Sequence, residues 1–278
     1  MPKAAPPDLS GNAGHGKSVA RTYPRGMRID PHRHDWAQVL YAVSGVMWVE
    51  VGQQALVVPP QRAVWLPPGT THSIRMMSAV AMRNLYLREA DVPHLSREPD
   101  VFEVNGLLRE LITTLAETGA TKSDDYLDAA YRFVALELGH AARYSLRIPL
   151  PGQSDRRLDM LCRSVIENPT AAVNFEQHAA TVGASVRTLA RLFSQTLGMG
   201  FAEWRRQVQL AIAVSKLAEG QSVSAVAHSL GYRPSSFSDM FRRELGMPPG
   251  GFHGKTGVEA AHANAQTRTQ TQTPMMGH

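Results

Sequence analysis

The C-terminal half of the chain contains two consecutive helix-turn-helix patterns joined by one longer amphipathic segment. The first pattern runs from Asn174 to Gly198 and the second from Ser222 to Gly246. In each, a capping residue precedes a short apolar stripe, a glycine permits a tight turn, and a second apolar stripe follows at helical spacing. With a helix before them and a connector between them, they predict an all-α domain of six helices.

Local capping chemistry sets the expected helix boundaries. Asn174 and Gln177 have the spacing of a capping box, and Gly183 supplies the first turn. Pro234 stands where its fixed φ suits the first turn of a helix. We therefore expect helices over residues 155–168, 175–182, 185–197, 201–217 and 222–230, and from 234 onward.

The second helix of the first pattern is a candidate for DNA contact. Leu189, Leu192 and Phe193 form its inward stripe. Arg187 and Arg191 are four residues apart and share a face, and arginine binds guanine O6 and N7 or a backbone phosphate. The alternative is that both arginines only lie on the solvent-exposed surface of an ordinary helical bundle. The candidate contact residues are Arg187, Thr188, Ala190, Arg191 and Gln195.

The second pattern offers a less basic surface. Phe237 and Phe241 are its inward anchors, and the candidates on the other faces are Ser235, Ser238, Asp239 and Arg242. Asp239 accepts a hydrogen bond from cytosine N4 but repels phosphate, so its role stays open. On the connector, Arg205 and Arg206 are candidates for phosphate contact or for simple solvation.

The charge balance favours a polyanionic partner. The chain has 29 Lys and Arg against 24 Asp and Glu, and 12 against 8 of these lie between 154 and 255. The single Cys162 excludes an intrachain disulfide, and no apolar run reaches the ~20 residues that span a bilayer. With no secretory signal at the start, we expect a cytoplasmic protein without a membrane partner.

The N-terminal half has a strand-like period. Short apolar runs broken by Gly and Pro from Arg21 to Arg88 predict a small β-barrel or sandwich, and two helical stretches follow at 102–118 and 124–144. The expected organisation of this α+β chain is a disordered N-terminus (1–20), a β domain (21–90), a helical connector that also suits dimerisation (91–146), a linker (147–156), the helix-turn-helix domain (157–252) and a disordered tail (253–278).

Three histidines and a glutamine in the β domain have the spacing of a binding site. His32 and His34 share one face of an extended chain, Gln38 follows, and His72 comes after a Pro-x-Gly turn. These segments resemble the two cupin motifs, with Gln38 where cupins usually have a glutamate. The resemblance implies a cupin-like effector domain whose three imidazoles and one oxygen suit a divalent transition metal. A metal-free polar pocket is the alternative.

Two segments of the helical domain carry a family signature, SVRTLARLFSQTLGMGFAEWRRQVQL and GYRPSSFSDMFRRELGMPP. They resemble the DNA-binding domain of AraC/XylS-type regulators over about 100 residues. The resemblance implies two recognition helices about 34 Å apart. It also implies that the residues facing the DNA bases are Arg187, Ala190, Arg191, Ser235, Ser238 and Asp239. The sequence departs from the family pattern at two positions. The turn before Phe237 is one residue shorter than usual, and Gln209 stands where the family often has arginine.

We therefore expect a transcriptional regulator, not an enzyme, whose promoter occupancy responds to an effector in the cupin-like barrel. The expected partners are double-stranded promoter DNA, an unidentified small molecule, RNA polymerase and a second copy of the chain. A divalent metal in the barrel is the cofactor considered. The alternative is a metal-dependent cupin enzyme, a dioxygenase or isomerase, with an appended helical domain. Gln38 counts against it, because a neutral amide is a weaker metal ligand than a carboxylate.

Overall fold

Two facing six-stranded sheets form the N-terminal part of the computed structural model, which describes residues 2–5, 16–118, 121–144, 146–152, 155–169 and 174–252. In spatial order, the first sheet contains β1 (Lys3–Ala4), β3 (Arg28–His32), β8 (His72–Met76), β5 (Met47–Val51), β6 (Gln54–Val58) and β12 (Arg147–Pro149). The second contains β11 (Arg143–Tyr144), β10 (Asp100–Glu103), β7 (Arg62–Leu66), β4 (Ala37–Ser44), β9 (Val80–Leu87) and β2 (Lys17–Tyr23). The expected β domain is therefore present as a sandwich of two sheets rather than one closed barrel.

Two helices accompany the sheets, and six form the C-terminal domain. Their bounds are α1 (Gly106–Thr118), α2 (Asp124–His140), α3 (Arg156–Glu167), α4 (Phe175–Thr181), α5 (Val186–Leu192), α6 (Phe201–Ala218), α7 (Val223–Ser229) and α8 (Pro234–Leu245). A π-helical turn, Phe193–Leu197, continues α5. The α+β class with two helix-turn-helix units is confirmed. No helix in the described ranges is long and apolar enough to cross a membrane.

The strands alternate their side chains between two apolar layers. Leu40, Met47 and Met82 belong to the layer between the sheets. The outer side of the second sheet, which includes Tyr41 and Leu85, packs against α1 and α2. The outer side of the first sheet packs against the six-helix domain. The molecule thus stacks a helix pair, two sheets and the helix-turn-helix domain in that order.

The segments at the domain boundary differ from the prediction. The expected linker at 147–156 contains β12, which pairs with β6 at the edge of its sheet. Pro149 is tolerated there because an edge strand does not need every N–H. The helix expected over 102–118 begins only at Gly106, since Asp100–Glu103 pairs with β7. The helix expected over 124–144 ends at His140, because β11 then pairs with β10.

The expected disorder of residues 1–20 is also incorrect in part. Lys17–Ala20 belong to β2, which pairs with β9, and Lys3–Ala4 pair with β3. Composition did not indicate these strands, because their partners are distant in sequence. The rest of that stretch and the tail expected to be disordered, 253–278, lie outside the described residues.

Candidate nucleic-acid interface and histidine cluster

Side-chain caps fix the residues at which α4 and α5 begin. The Gln177 backbone N–H donates to Asn174 Oδ1 over 2.8 Å, and the Asn174 backbone N–H donates to Gln177 Oε1 over 3.1 Å, which completes the expected capping box. Gly183 then takes a φ of 66°, which an L side chain rarely adopts. The Thr188 backbone N–H donates to Ser185 Oγ over 3.1 Å and starts α5. The first turn is therefore set by its own sequence.

Aromatic packing beneath α5 determines which of its faces is outward. Leu189 and Phe193 are fully buried, and the Phe193 ring meets Phe201 and Trp204 edge-on at centroid distances of 5.4 and 5.7 Å. This arrangement leaves a surface that matches the sequence expectation. Its exposed residues are Arg187, Ala190, Arg191 and Gln195, and Thr188 is half-buried.

The two arginines of α5 differ from other arginines of the same domain. Arg157 and Arg163 are each bound to an aspartate on or next to α3. Within the described ranges, neither Arg187 nor Arg191 has a carboxylate within ion-pair distance. Their guanidinium groups are therefore available to an external anion.

The second helix of the second helix-turn-helix unit, α8, is anchored by its inner side. Phe237 and Phe241 are fully buried, with ring centroids 5.5 Å apart. Ser235, Asp239 and Arg242 are exposed. Ser238 is half-buried, and its hydroxyl donates to the Pro234 carbonyl oxygen over 2.9 Å, so only its oxygen lone pairs remain for a ligand.

The shorter second turn is supported by a buried glutamine. Gln209 is 1% exposed and its amide donates to the carbonyl oxygens of Pro169 and Leu230. Tyr232 OH donates to Gln209 Oε1 over 2.8 Å. This side chain, which stands where the family often has arginine, therefore ties the second turn to α6. The helix begins at Pro234, as expected.

The two connector arginines are engaged within the domain. The Arg205 guanidinium lies over the Phe201 ring, 5.3 Å from its centroid. Arg206 Nε lies 3.8 Å from Glu244 Oε1. In contrast, Arg233 is exposed at the N-terminus of α8 and was not among the expected contact residues. The sequence signal for this residue was its position just before Pro234, at the expected start of the helix.

His32, His34 and His72 form a cluster at one end of the sandwich, called the histidine cluster below. One ring nitrogen from each lies within 4.8 Å of those of the others. His32 pairs with His72 across β3 and β8, beyond an irregularity that follows Ile29. The structure thus brings together the three histidines that sequence spacing singled out.

Backbone carbonyls orient each imidazole of the histidine cluster. His32 Nδ1 lies 2.9 Å from Asp30 O, His34 Nδ1 2.7 Å from Trp36 O, and His72 Nδ1 2.9 Å from Thr70 O. Because a carbonyl oxygen only accepts, each Nδ1 carries a proton. Burial lowers the pKa of His72 to about 4 and also lowers the pKa of His32. These two rings are neutral at pH 7, with the Nε2 lone pair free.

Gln38 joins the histidine cluster to a tyrosine that sequence analysis missed. Gln38 Oε1 lies 3.0 Å from His34 Nε2, and Gln38 Nε2 donates to Tyr86 OH over 3.2 Å. Burial raises the pKa of Tyr86, so its phenol is neutral. Its signal was the alternation in β9, where Met82, Asn84 and Tyr86 share the inward side.

The outer side of the first sheet contacts the helix-turn-helix domain directly. Trp48 and Val57 belong to the same apolar cluster as α3 to α8. Trp204 Nε1 of α6 donates to Pro149 O of β12 over 2.7 Å. The Arg75 guanidinium of β8 lies 5.3 Å from the Trp48 ring centroid. Strand β8 therefore carries His72 at its inner side and touches the interdomain contact at its outer side.

Comparison with known proteins identifies two matching family models. A model described as a helix-turn-helix domain matches residues 178–254, and one described as an AraC-like ligand binding domain matches residues 18–136. The HTH-type transcriptional regulator NimR of Escherichia coli is 30% identical over 221 residues, which are 79% of this chain and 80% of that protein. The HTH-type transcriptional regulator RipA of Corynebacterium glutamicum is 33% identical over 124 residues, 44% of this chain and 38% of that protein.

A similar solved structure is that of unsaturated fatty acid bound ToxT from Vibrio cholerae. It has 12% sequence identity and a TM-score of 0.37, with 90% of this chain and 99% of that chain covered.

Proposed function

Because the chain belongs to the AraC-type transcriptional regulators with an N-terminal ligand-binding domain, we propose that α5 and α8 bind promoter DNA in a sequence-specific manner and that an effector in the β sandwich controls this binding. The family implies DNA as one partner and a small molecule as the other. The named relatives are regulators, so the alternative of a cupin enzyme has no support from them.

The observation that carries the proposal is the outward face of α5. Arg187 and Arg191 extend from a helix whose opposite side is locked into the core by Leu189 and Phe193. A rigid helix with two available guanidinium groups suits the major groove, where arginine donates to guanine O6 and N7. Gln195 and Thr188 lie on neighbouring faces and supply further polar groups.

The second unit contributes contacts of a different kind. Ser235, Ser238 and Asp239 are proposed to face base edges from α8, where hydroxyl and carboxylate oxygens accept from cytosine or adenine amino groups. Arg242 and Arg233 are proposed to contact phosphates on either side. Arg205 and Arg206 are given no role in this interface, because the first lies over the Phe201 ring and the second lies near Glu244.

We also propose that two copies of the chain associate through α2. Tyr126, Phe133 and Leu136 leave an apolar stripe on this helix that is between 40% and 54% exposed. The first turn of α2 carries Asp124 and Asp125 and its last turn carries His140, so an antiparallel pair of α2 helices places these carboxylates near the partner's imidazole. Sedimentation velocity tests this interface. A wild-type protein that sediments as a dimer and a Leu136→Lys variant that sediments as a monomer would support it. Equal sedimentation coefficients contradict it.

The stacking of layers gives the effector a physical route to the DNA-binding domain. A ligand at the histidine cluster touches β8 and β3, and the outer side of the first sheet shares its apolar cluster with α3 to α8. Interactions that favour one arrangement of the sheet therefore bias the position of the helices. This coupling requires no contact between the effector and DNA.

The DNA-binding part is tested with genomic fragments captured by the purified full chain and sequenced at two salt concentrations. The affinity for a captured fragment is measured by fluorescence anisotropy. The logarithm of the binding constant should fall linearly with the logarithm of the salt concentration, with a slope near −0.9 for each phosphate that the protein neutralises. Replacing both Arg187 and Arg191 by alanine is expected to make this dependence less steep, reducing the magnitude of the slope by about 2. The matched control replaces Arg157 and Arg163, which are already paired. An equal loss in both double variants contradicts the assignment.

A further inference from the structure

We propose that a cavity between the edge strands β11 and β12 and the helices α6 and α8 is a second small-molecule site, and that it binds an aliphatic amino acid as a zwitterion. The cavity has a volume of about 330 Å³, which suits a small metabolite. It lies outside the sandwich interior to which the effector is assigned above, so the inference goes beyond the proposed function.

The wall that the edge strands contribute is cationic. Arg143 of β11 and Arg147 of β12 line the cavity. Arg143 Nη1 and Arg147 Nη2 bind the same carboxylate, that of Asp100, which is 4% exposed. One carboxylate balances only one of the two guanidinium groups, and each guanidinium carries five N–H donors. This wall therefore offers both charge and donors to the carboxylate of a ligand.

The wall that the helices contribute offers acceptors. Glu244 at the end of α8 lines the cavity, and its ion pairs with Arg206 and Arg243 both use Oε1. Gln207 of α6 also lines the cavity, and its buried Oε1 has no hydrogen-bond partner in the described part of the chain. Such an acceptor is costly, and the soft terminal torsion of glutamine lets it turn toward a donor in the cavity. An ammonium group suits both side chains, because it carries three donors and a positive charge.

Three leucines supply the apolar part of the cavity. Leu146 and Leu210 are buried in the apolar cluster of the helical domain, and Leu245 packs against that cluster. An aliphatic side chain that contacts them extends the cluster and removes apolar surface from water. A carboxylate, an ammonium group and an aliphatic side chain together define an amino acid such as leucine.

The position of the cavity gives its occupant a regulatory role. The ligand contacts the β part through β11 and β12 and, at the same time, the C-terminal end of α8. Helix α8 is the second helix proposed to bind DNA. A bound amino acid therefore favours the arrangement in which this helix rests against the edge strands.

Isothermal titration of the full-length protein with L-leucine tests the site. One leucine per chain is expected to bind with a dissociation constant below about 1 mM. The matched ligands are 4-methylpentanoate, which lacks the ammonium group, and 3-methylbutylamine, which lacks the carboxylate. Each is expected to bind at least about tenfold more weakly, because it leaves one wall unpaired. Absence of saturable leucine binding overturns the site, and equal binding of either analogue overturns the zwitterion.

Two variants locate the bound leucine. Arg143→Gln and Gln207→Met are each expected to lower the affinity for leucine about tenfold, because each removes one proposed partner. The Arg143 side chain is 68% exposed, so its loss should cost little stability. The controls are Arg132→Gln on α2, where the arginine is also exposed and paired with an aspartate, and Gln221→Met, where the glutamine is exposed. Thermal unfolding verifies that each variant is folded. Wild-type affinity in Arg143→Gln and Gln207→Met overturns the assignment.

A third variant separates this cavity from the interior of the sandwich. His34→Ala changes the histidine cluster and leaves every residue that lines the cavity in place. It is therefore expected to bind leucine as the wild type does. Loss of binding in His34→Ala, with binding retained in Arg143→Gln, places the amino acid in the sandwich and overturns the second site.

Discussion

The two helix-turn-helix units share one frame but differ in charge and in how their recognition helices begin. Ser185 caps α5 with its side chain, whereas α8 has no side-chain cap and begins instead with Pro234. The outward face of α5 carries two arginines, and that of α8 includes Asp239. The same architecture is therefore reached through different local chemistry.

This difference assigns different tasks to the units. Under the proposed function, we expect the cationic α5 to attract phosphates and guanines and to supply most of the affinity for DNA. The helix α8, steadied by the Gln209–Tyr232 contact, should add discrimination through Ser235 and Asp239, beside the phosphate contacts proposed for Arg233 and Arg242. Both tasks require a fixed arrangement of the two units, and the apolar cluster that they share is expected to hold it.

The largest expected effect tests whether the two helix-turn-helix units form one cooperative folding unit. Phe193→Ala and Phe237→Ala each remove a fully buried ring from the same cluster, so each should lower the free energy of unfolding by about 3–5 kcal/mol. Denaturant unfolding followed by helical circular dichroism measures this. The helical domain should unfold in one transition in both variants. A separate early transition in Phe237→Ala alone would show that the second unit folds independently.

The next effect concerns affinity. Arg191→Ala should weaken binding to the preferred fragment by about 1–3 kcal/mol and relax the preference at one base pair. Anisotropy titration of the preferred fragment and of its single-base variants measures both quantities. Arg163→Ala, on α3 of the same domain, is the control and should bind as the wild type does. Unchanged binding by Arg191→Ala would remove the assignment of α5 as the main source of affinity.

A smaller effect distinguishes the starts of the two recognition helices. Ser185→Ala should destabilise the domain by about 1 kcal/mol, because the Thr188 backbone N–H loses its acceptor. Arg233→Ala should leave stability unchanged, since the Arg233 side chain caps nothing. Thermal unfolding compares the two variants. Equal losses would mean that α8 also depends on its first side chain.

The smallest effect concerns the acidic residue of α8. Asp239→Asn should raise the affinity for DNA of unrelated sequence by about 0.5 kcal/mol, because a carboxylate that repels phosphate becomes neutral. Anisotropy with a random duplex at low salt detects this change. Asp159→Asn on α3 serves as the charge-matched control. A loss of affinity in Asp239→Asn would instead indicate that this carboxylate accepts a hydrogen bond from a base.

The helical domain was predictable because its signals are local. The capping box at Asn174, the turn at Gly183 and the stripe through Phe193 each lie within a few residues of the element they define. The signature segments also resembled the family, and that assignment is confirmed by the matching models. Local chemistry therefore sufficed for the six helices and for the outward faces of α5 and α8.

The β part was less predictable because strand pairing is not local. The sequence predicts a helical connector and a linker where strands β10 and β12 form, because their partners β7 and β6 lie far away in sequence. The burial of Gln209 and the inward position of Tyr86 also depend on distant contacts. The spacing of His32, His34 and His72 could indicate a cluster, but the carbonyls that orient each ring emerge only from the fold.

The claim that both units bind DNA together is tested most directly by hydroxyl-radical footprinting on a fragment captured by the protein. Two protected patches on one face of the duplex, about 10 base pairs apart, are predicted for the wild type. In Arg191→Ala the patch assigned to α5 should fade first as the protein is diluted. A single patch in the wild type, or two patches on opposite faces, would contradict the account.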